Sequence, residues 1–463
     1  MNTKTVVAPL ELLQKYDRPG PRYTSYPTAP TWSNEYGPAQ YERALQQAGK
    51  KTQEPLSLYV HLPFCEKRCY FCGCNVFIPR RSEHVTDYIA TLKLEITRTA
   101  DALNGRNKVQ QLHFGGGTPT HLSVPEFTEV MDALQERFIL LDTAEISIEV
   151  DPRVTTKEHL VFLAKRGFNR ISMGVQDFNE DVQKSVGRKQ PYDRTKRCIE
   201  FAREQGFKGV NLDLIYGLPK QTVATFTETI NKTLDLRPDR VAVYSFAYLP
   251  TLKGNQKLIK QDDLPELHEK YRLFNTAQKL FTGRGYEQIG MDHFALPDDE
   301  LTIAQKKGKL MRNFMGYTVN KASDLVGIGI SSIGLVNGAL AQNSSDMDTY
   351  LEKVNAGGFA TVRGLRLSED DVIREFVISS IMCNFILDRE EFAKRFSVSF
   401  EEYFGEALDE LQVFYHDGLL VDDGRILQVT LLGRTFVRNI AMVFDGYLKK
   451  QEAEKPLTFS RTI

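Results

Sequence analysis

Apolar and polar residues alternate in several short segments of the first half of the chain. In 145–151, Ile146, Ile148 and Val150 alternate with polar side chains. The same alternation occurs in three other segments: 57–62, 171–176 and 211–214. Successive side chains of a strand point to opposite faces, so these strands should share one apolar and one polar face. A single strand facing solvent is the alternative, but four strands of this kind favour a polar face that lines a cavity.

Helical periodicity separates these strands. The predicted strands cover six segments: 56–64, 111–117, 145–152, 170–177, 209–219 and 240–249. Predicted helices lie between them, at 84–103, 124–138, 156–167, 222–236 and between 178 and 206. Alternation of strands and helices predicts a parallel sheet with crossover helices. We therefore expect an α/β fold, a partial TIM-like (β/α)6 barrel whose active site lies at the carboxyl ends of the strands.

The two ends of the chain differ from this central pattern. Residues 1–50 lack strong periodicity and are interpreted as an arm, whereas 51–365 would form the barrel and its flanking elements. Residues 366–463 predict a small, mostly helical domain with helices at 368–385, 399–420 and 435–448. A tight Asp423-Gly424 turn between apolar runs predicts a hairpin, so this domain resembles a winged helix. DNA binding is one interpretation, but its acidic and apolar residues favour a lid or packing role.

Composition narrows the class of protein. A length of 463 residues suggests two or three domains, and 41% hydrophobic with 26% charged residues is typical of a globular protein. The net charge of −1 predicts no general attraction to nucleic acid or to an anionic membrane. Charged residues interrupt the first apolar stretch, and no run reaches the roughly 20 apolar residues of a membrane span. We expect a cytoplasmic monomer without a signal peptide.

The cysteines are unevenly distributed. Cys65, Cys69, Cys72 and Cys74 cluster in one short segment, and the remaining two occur alone in helical patterns. In a cytosolic protein such a cluster indicates metal binding or redox chemistry. Three thiolates at the spacing C-x-x-x-C-x-x-C can hold one corner of an iron–sulfur cubane and leave the fourth iron open. A zinc site that uses Cys74 is the alternative, although zinc favours two separated cysteine pairs.

The cysteine motif resembles the signature of the radical S-adenosylmethionine (SAM) superfamily, in which an aromatic residue, here Phe71, precedes the third cysteine. Further segments resemble the oxygen-independent coproporphyrinogen III oxidase family almost from end to end. These segments are PRYTSYPTAP, SLYVHLPFCEKRCYFCGCN, HFGGGTPT, EISIEVDPR, RISMGVQDF, NLDLIYGLPKQT, GMDHFALPDDEL, RNFMGYT and FSRTI. The cysteine motif alone specifies only the superfamily, whereas its combination with both terminal segments specifies the family.

The resemblance implies a role for each matching residue. Cys65, Cys69 and Cys72 would be the ligands of a 4Fe–4S cluster, and Cys74 would not be a ligand. One SAM molecule would chelate the open iron, surrounded by Tyr59, Phe71, Gly116, Glu149 and Ile333. A second SAM molecule would be contacted by Gly117, Thr118, Gln176, Arg188, Asp213 and Ala247.

Several of these residues also suit the chemistry when considered alone. The run Gly115–Gly117 at a strand end lets the backbone approach a charged ligand closely. Glu149 and Asp213 lie on the polar face and suit a sulfonium, an ammonium or ribose hydroxyls, although each could instead pair with a nearby arginine. Arg188 follows a helical pattern that by itself suggests a surface position.

The resemblance further implies a radical reaction. The reduced cluster would donate one electron to SAM, which releases methionine and a 5′-deoxyadenosyl radical. This radical would remove a hydrogen atom from the β-carbon of a propionate of coproporphyrinogen III. Loss of carbon dioxide and one electron would leave a vinyl group, and a second round would give protoporphyrinogen IX of haem biosynthesis. A low-potential flavodoxin or ferredoxin is the expected electron donor.

Candidate contacts to the substrate carboxylates are less specific. Arg22, Arg312 and Phe314 are our candidates, and solvated surface arginines are the alternative. Met315 departs from the family pattern, in which we expect Gln. Two other functions remain open: a related haem chaperone without this activity, and a metal-stabilised binding protein without catalysis. The chaperone lacks the Gly-Cys after the cluster motif and the N-terminal arm, both of which this chain has.

Overall fold

The fold is built on one large sheet. The structure, a computed structural model, describes residues 6–319, 322–451 and 459–463. The first six strands are β1 (Leu56–Leu62), β2 (Lys108–Gly116), β3 (Ile139–Val150), β4 (Arg170–Gln176), β5 (Gly209–Tyr216) and β6 (Arg240–Ser245). They are adjacent in chain order, and each pairs in parallel with the next. The predicted parallel sheet is therefore confirmed.

Crossover helices connect these strands. They are α3 (Glu83–Ala102), α4 (Val124–Arg137), α5 (Lys157–Lys165), α6 (Glu180–Ser185), α7 (Tyr192–Glu204) and α8 (Val223–Asp235). Their starts follow from local sequence. At α4, for example, the Ser123 hydroxyl accepts from the Glu126 amide, while the Glu126 carboxylate accepts from the Ser123 amide. This capping box satisfies backbone donors that the first turn leaves free.

Antiparallel strands extend both edges of the parallel sheet. The further strands are β7 (Glu287–Ile289), β8 (His293–Ala295), β9 (Met311–Asn313), β10 (Gly316–Thr318), β11 (Leu325–Ile328), β12 (Ile333–Val336), β13 (Ala339–Asn343) and β14 (Thr361–Arg366). β11 pairs in parallel with β1 and leads into antiparallel β12–β14, while β8 and β7 extend the edge at β6. The sheet of the described residues is thus open, a partial barrel, as predicted.

The two faces of the sheet differ as the alternation predicted. Leu58, Val60 and Ile148 are fully buried on the outer face, together with Leu92 and Ile96 of α3. The inner face carries the polar residues of β2–β5, which line a cavity: Gln111, His113, Glu145, Ser147, Glu149, Ser172, Asn211 and Asp213. Burial of the outer apolar face against helices stabilises the barrel, so its polar interior is available for function.

The ends of the chain pack together. The remaining helices are α1 (Leu10–Tyr16), α2 (Pro38–Gly49), α9 (Leu267–Gly283), α10 (Glu300–Lys306), α11 (Met347–Asn355), α12 (Glu369–Ser379), α13 (Arg389–Phe396), α14 (Phe400–His416), α15 (Val437–Met442) and α16 (Gly446–Gln451). Within the expected arm, α2 buries Tyr41 and Leu45 in the barrel core, whereas α1 buries Leu13 in a second core with α12 and α14. Of the arm, residues 1–5 lie outside the described residues.

The C-terminal part contains the predicted hairpin. β16 (Leu420–Asp422) and β17 (Ile426–Val429) pair antiparallel, and β15 (Ile386–Asp388) joins them as a third strand. Asn384 ends a π-helical turn that follows α12, so the helix predicted over 368–385 ends early at Ser379. The helix predicted over 435–448 consists instead of the two short helices α15 and α16. Residues 452–458 of this predicted domain lie outside the described part of the chain.

Other predicted boundaries were also wrong. β3 begins at Ile139, before the predicted start at 145. The prediction missed its first residues because they do not alternate between apolar and polar side chains. β5 ends at Tyr216 rather than at 219, since Gly217 has a φ of +85° that breaks the extended backbone. β6 ends at Ser245 rather than at 249. No described helix is both long and apolar enough to cross a bilayer.

Candidate functional site

The cysteine loop follows β1 directly. The Cys65 amide donates to the Phe77 carbonyl at 3.1 Å, and the Phe77 amide donates to the Pro63 carbonyl at 2.8 Å, so the loop returns beside its starting point. Cys65, Cys69, Cys72 and Cys74 line one cavity at the carboxyl ends of the strands, and all four are free thiols. The structure therefore brings together the three cysteines that the spacing selected.

A distant segment holds this loop in place, and sequence reasoning missed it. Asn255 Nδ2 lies 3.2 Å from the carbonyl oxygen of Cys69, 2.9 Å from that of Tyr70 and 3.0 Å from that of Cys72. The neighbouring Gln256 Nε2 donates to the Phe71 carbonyl at 3.1 Å. An Asn-Gln pair far along the chain carries no signal by itself, so only the fold could reveal this contact.

The cysteine thiols of the loop differ in acidity. Burial raises the pKa of the Cys65 thiol to about 11, whereas a hydrogen bond from Cys74 lowers the pKa of the Cys72 thiol to about 6. Among the described residues, no three or more His, Cys, Asp or Glu side chains converge closely enough to hold a single metal ion. Three cysteine thiols on one short loop match the thiolate ligands that hold iron–sulfur clusters.

The predicted glycine run lies against this loop. Gly116 has a φ of +114°, and a Cβ there would lie 2.6 Å from the His61 ring. A Cβ at Gly117 would lie 2.5 Å from the backbone of Pro63. Thr118 follows, with its hydroxyl 3.4 Å from the Cys65 sulfur. The glycines thus let β2 end in contact with the cysteine loop, in addition to leaving room for a ligand.

Glu149 on β3 faces the same cavity, with 46% of its side chain accessible there. Its carboxylate accepts hydrogen bonds from the Gly116 amide at 3.3 Å and from His113 Nε2 at 3.4 Å. Enclosure in the barrel raises the pKa of Glu149, but the hydrogen bond and charge of His113 outweigh it, so the pKa lies below its ordinary value. Glu149 is therefore an anion without an arginine partner in the described structure, contrary to the structural alternative.

Asp213 on β5 is the second carboxylate of the cavity. It accepts from the Ser172 hydroxyl at 3.2 Å and from Asn211 Nδ2 at 2.8 Å. Burial and then the charge of Glu149 raise the pKa of Asp213 to about 6. In the described structure no arginine pairs with Asp213 either. Both carboxylates consequently remain available to a cationic ligand.

Arg188 and Gln176 complete this side of the cavity. Arg188 is only 8% exposed, so the surface interpretation was wrong: α6 ends before it, and the side chain turns inward. Its Nη1 lies 3.2 Å from Asp151 Oδ2 and 3.7 Å from the Cys69 sulfur, and its Nη2 donates to the Gly174 carbonyl at 2.7 Å. Gln176 has a φ of +68°, and its buried Oε1 has no hydrogen-bond partner. An unsatisfied buried acceptor is costly unless a ligand supplies the donor.

Three residues expected around SAM do not line this cavity. Tyr59 lies deeper in the barrel, where its hydroxyl is 2.9 Å from His61 Nδ1. Ala247 lines a neighbouring pocket, and its carbonyl accepts from Gln256 at 3.0 Å. Ile333 lies on β12, outside the six central strands. The structure brings these three to the periphery of the site.

A central cavity inside the barrel shares residues with the cysteine cavity. Glu149, Ser172, Asp213 and Tyr244 line both, so the two spaces are adjacent. Met315, at the turn between β9 and β10, also lines the central cavity. The position where we expected Gln from the family resemblance therefore faces the polar interior, and here it presents a thioether.

The candidate substrate residues lie near the open end of the barrel. Arg22 donates to the carbonyl of Ser245, where β6 ends, at 2.8 Å. Arg312 donates to the Arg22 carbonyl at 3.1 Å, and its guanidinium lies 4.9 Å from the Tyr317 ring centre. Phe314 packs edge-on against Trp32, with ring centres 5.9 Å apart. Both arginines are partly buried and hold other elements, so they are not solvated surface residues.

Comparisons with known proteins agree with this geometry. Residues 59–233 match the Radical SAM superfamily, and residues 367–436 match the HemN C-terminal domain. The chain is 44% identical to the oxygen-independent coproporphyrinogen III oxidase of Escherichia coli, over 100% of both chains. It is 43% identical to the enzyme of the same name from Synechocystis, over 99% of each chain. A solved structure described as coproporphyrinogen III oxidase from Escherichia coli, a radical SAM enzyme, matches with a TM-score of 0.90 and 43% identity, covering 96% of this chain and 100% of that one.

Proposed function

Because this chain belongs to the oxygen-independent coproporphyrinogen III oxidase family of radical SAM enzymes, we propose that its cavity decarboxylates two propionates of coproporphyrinogen III. The products are the two vinyl groups of protoporphyrinogen IX, an intermediate of haem biosynthesis. One observation carries the proposal: the cysteines of the C-x-x-x-C-x-x-C motif open onto a cavity that also holds Glu149 and Asp213, two carboxylates that have no arginine partner among the described residues. The protein is an oxidoreductase that works with a 4Fe–4S cluster and SAM.

Cys65, Cys69 and Cys72 would hold the cluster, and Asn255 fixes the backbone between them. When bound, the cluster and SAM supply the 5′-deoxyadenosyl radical that takes a hydrogen atom from the propionate β-carbon. The chain itself positions the reactants and excludes water. The main contribution of the protein is therefore to orient the reactants, since the cofactors carry out the radical chemistry.

We propose two SAM sites on either side of β4. Glu149 on β3 would bind a positively charged group of the first molecule, next to the Gly116 amide. Asp213 on β5, with Gln176 and Arg188, would bind the second. Each SAM carries a sulfonium and an ammonium, so a nearby carboxylate stabilises it. The raised pKa of Asp213 supports the second site, because a bound cation would restore the ionised form.

The substrate would enter the central cavity from the open end of the barrel. We propose that Arg22, Arg312 and Phe314 contact the porphyrinogen there, because Arg22 lies at the end of β6 and Arg312 donates to the Arg22 carbonyl. Guanidinium groups suit carboxylates because they form two parallel hydrogen bonds. The enzyme would act as a monomer and receive electrons from a flavodoxin or ferredoxin.

An anaerobic turnover assay tests this function. The cluster is reconstituted, SAM, dithionite and coproporphyrinogen III are added, and products are followed by mass spectrometry. Protoporphyrinogen formed together with 5′-deoxyadenosine supports the proposal. Formation of 5′-deoxyadenosine without decarboxylation refutes the assignment of coproporphyrinogen III as the substrate. Cys72→Ala should abolish both products. The control variant, Cys198→Ala, changes a buried cysteine of α7 outside the site and should keep both.

A further inference from the structure

A separate pocket lies where the arm, the C-terminal helices and the last residues of the chain meet. Its lining includes Arg22 of the arm, Asp292 of the barrel, Arg434 and Arg438 of the C-terminal part, and Thr462. No motif discussed above includes Arg434 or Arg438. Arg22 is already a proposed substrate contact, whereas Arg434 and Arg438 add two cations to which the proposed function gives no role.

The pocket adjoins the central cavity of the barrel. Ser245 lines the pocket, and its neighbour Tyr244 lines the central cavity. Likewise, Asp292 lines the pocket and His293 lines the central cavity, and Asp292 Oδ1 lies 2.8 Å from His293 Nδ1. A ligand with several arms can therefore reach both spaces at once.

The positive charge of this pocket exceeds its negative charge. Arg22 donates to a backbone carbonyl, and Arg438 donates to the carbonyls of Pro21 at 2.9 Å and Arg461 at 2.8 Å. Among the described residues no carboxylate lies within ion-pair distance of Arg22, Arg434 or Arg438; Asp292 is the one acidic side chain in the lining, and Glu287 acts on Arg434 from further away. A buried charge without a partner is unfavourable, so this arrangement favours an anionic ligand.

The protonation behaviour of the neighbouring groups reflects this excess. Burial and then the charge of Arg22 lower the pKa of Lys270 to about 8. The same two causes, in the same order, lower the pKa of Arg438 to about 9. Each cation is thus made less favourable by the others, as expected where a counter-anion belongs.

Arg434 shows the clearest unused capacity for binding. Its guanidinium lies 4.3 Å from the centre of the Phe385 ring, which fixes the plane of the group. Its Nε is buried and has no hydrogen-bond partner, and the same is true of Arg312 Nε near the pocket. A buried donor left unpaired costs free energy that a ligand acceptor would recover.

We propose that this pocket binds the carboxylate of a propionate that is not reacting, with Arg434 as its main partner and Arg22 and Arg438 beside it. This inference rests on the proposed function, because coproporphyrinogen III has four propionates and only one can be at the radical site at a time. The other carboxylates need cationic partners at a distance. The C-terminal domain thereby contributes to substrate recognition and sets which propionate enters the barrel.

The test compares Arg434→Gln, Arg434→Lys and the control Arg272→Gln, which alters an exposed arginine of α9. Steady-state decarboxylation gives KM and kcat, and anaerobic ultrafiltration without reductant gives the Kd of coproporphyrinogen III. We expect Arg434→Gln to raise KM and Kd about 10- to 100-fold, the usual loss for a charge-assisted hydrogen bond. Cluster content and kcat should change less than threefold. Arg434→Lys should recover part of the affinity, and the control should equal the wild type.

The outcomes separate this inference from the proposed function. If the wild type cleaves SAM but does not decarboxylate the porphyrinogen, the proposed function fails. If the wild type decarboxylates and Arg434→Gln keeps the wild-type KM and Kd, the function stands and the pocket assignment is refuted. If Arg434→Gln does not fold, Arg22→Gln replaces it. That variant must show the same rise in KM, and an unchanged KM there also refutes the assignment.

Discussion

Asn255 is expected to determine how firmly the protein retains its cluster. One side-chain amide has two N–H donors, and here it faces the carbonyl oxygens of Cys69, Tyr70 and Cys72 at 2.9–3.2 Å. Asn255→Ala removes both donors and leaves at least two of these carbonyls unpaired. At about 1–1.5 kcal/mol per lost hydrogen bond, the loop is destabilised by about 2–3 kcal/mol. This corresponds to a roughly 30- to 150-fold larger population of the open loop.

The assay is the rate at which the reconstituted protein loses iron to an excess of chelator under anaerobic conditions. We expect this rate to rise about 50-fold in Asn255→Ala, since loop opening exposes the cysteine ligands. Asn255→Asp should be worse, because its carboxylate would face the same carbonyl oxygens with no donor at all. Gln412→Ala, on an exposed part of α14, serves as the control. Iron loss from Asn255→Ala at the wild-type rate, with the fold intact by circular dichroism, would refute this reasoning.

Three further predictions concern charge and backbone geometry. SAM affinity should fall as the pH decreases through about 6, the pKa of Asp213, because the protonated acid no longer attracts a cation. Equilibrium binding at several pH values should show that Asp213→Asn removes this dependence, and the same pH profile in the variant would refute the prediction. Arg106→Ala should lower the free energy of unfolding by about 3–5 kcal/mol in urea titration, since it removes the closest cation of the buried Asp324, at 2.6 Å, and leaves Lys51 at 3.6 Å as the charged partner. Burial opposes ionisation of Asp324, but Arg106 lowers the pKa of Asp324 below its ordinary value. The stability from this pair is therefore present at neutral pH and lost as the pH falls through that lowered pKa. A decrease in unfolding free energy of less than about 1 kcal/mol in Arg106→Ala would refute this prediction. Gly116→Ala should reduce bound iron after reconstitution, because its Cβ would lie 2.6 Å from the His61 ring on a backbone with φ of +114°. Full iron content in the variant would show that the end of β2 can shift to accommodate the Cβ, and would refute the prediction.

The central part of the fold could be predicted because its signal is local. Ile146, Ile148 and Val150 alternate with polar residues, and this period of two identifies a strand and both of its faces without any distant information. The cysteine spacing is equally local, and it selected three thiols that the fold does place on one cavity. The polar face led to Glu149 and Asp213 for the same reason.

The rest depends on contacts between distant parts of the chain. Asn255 reaches the carbonyl of Cys69 across 186 positions, and no pattern around Asn255 indicates this. Arg188 was assigned to the surface because its neighbours look helical, yet Asp151 and the cysteine loop draw it inward. The short strands β11–β14 contain too few residues to show a period. Tertiary packing overrides local preference at each of these places.

The contact between the two ends of the chain has a consequence for biosynthesis of the protein. The Gly20 amide donates to the Ser460 carbonyl at 3.1 Å, and the Thr462 amide donates to the Arg18 carbonyl at 2.8 Å. Arg18 and Thr462 are separated by 444 positions, so this contact can form only after all the residues between them have been synthesised. Arg22 can pair with the Ser245 carbonyl of the barrel earlier, so the N-terminal segment can dock on the barrel first and on the C-terminal residues last.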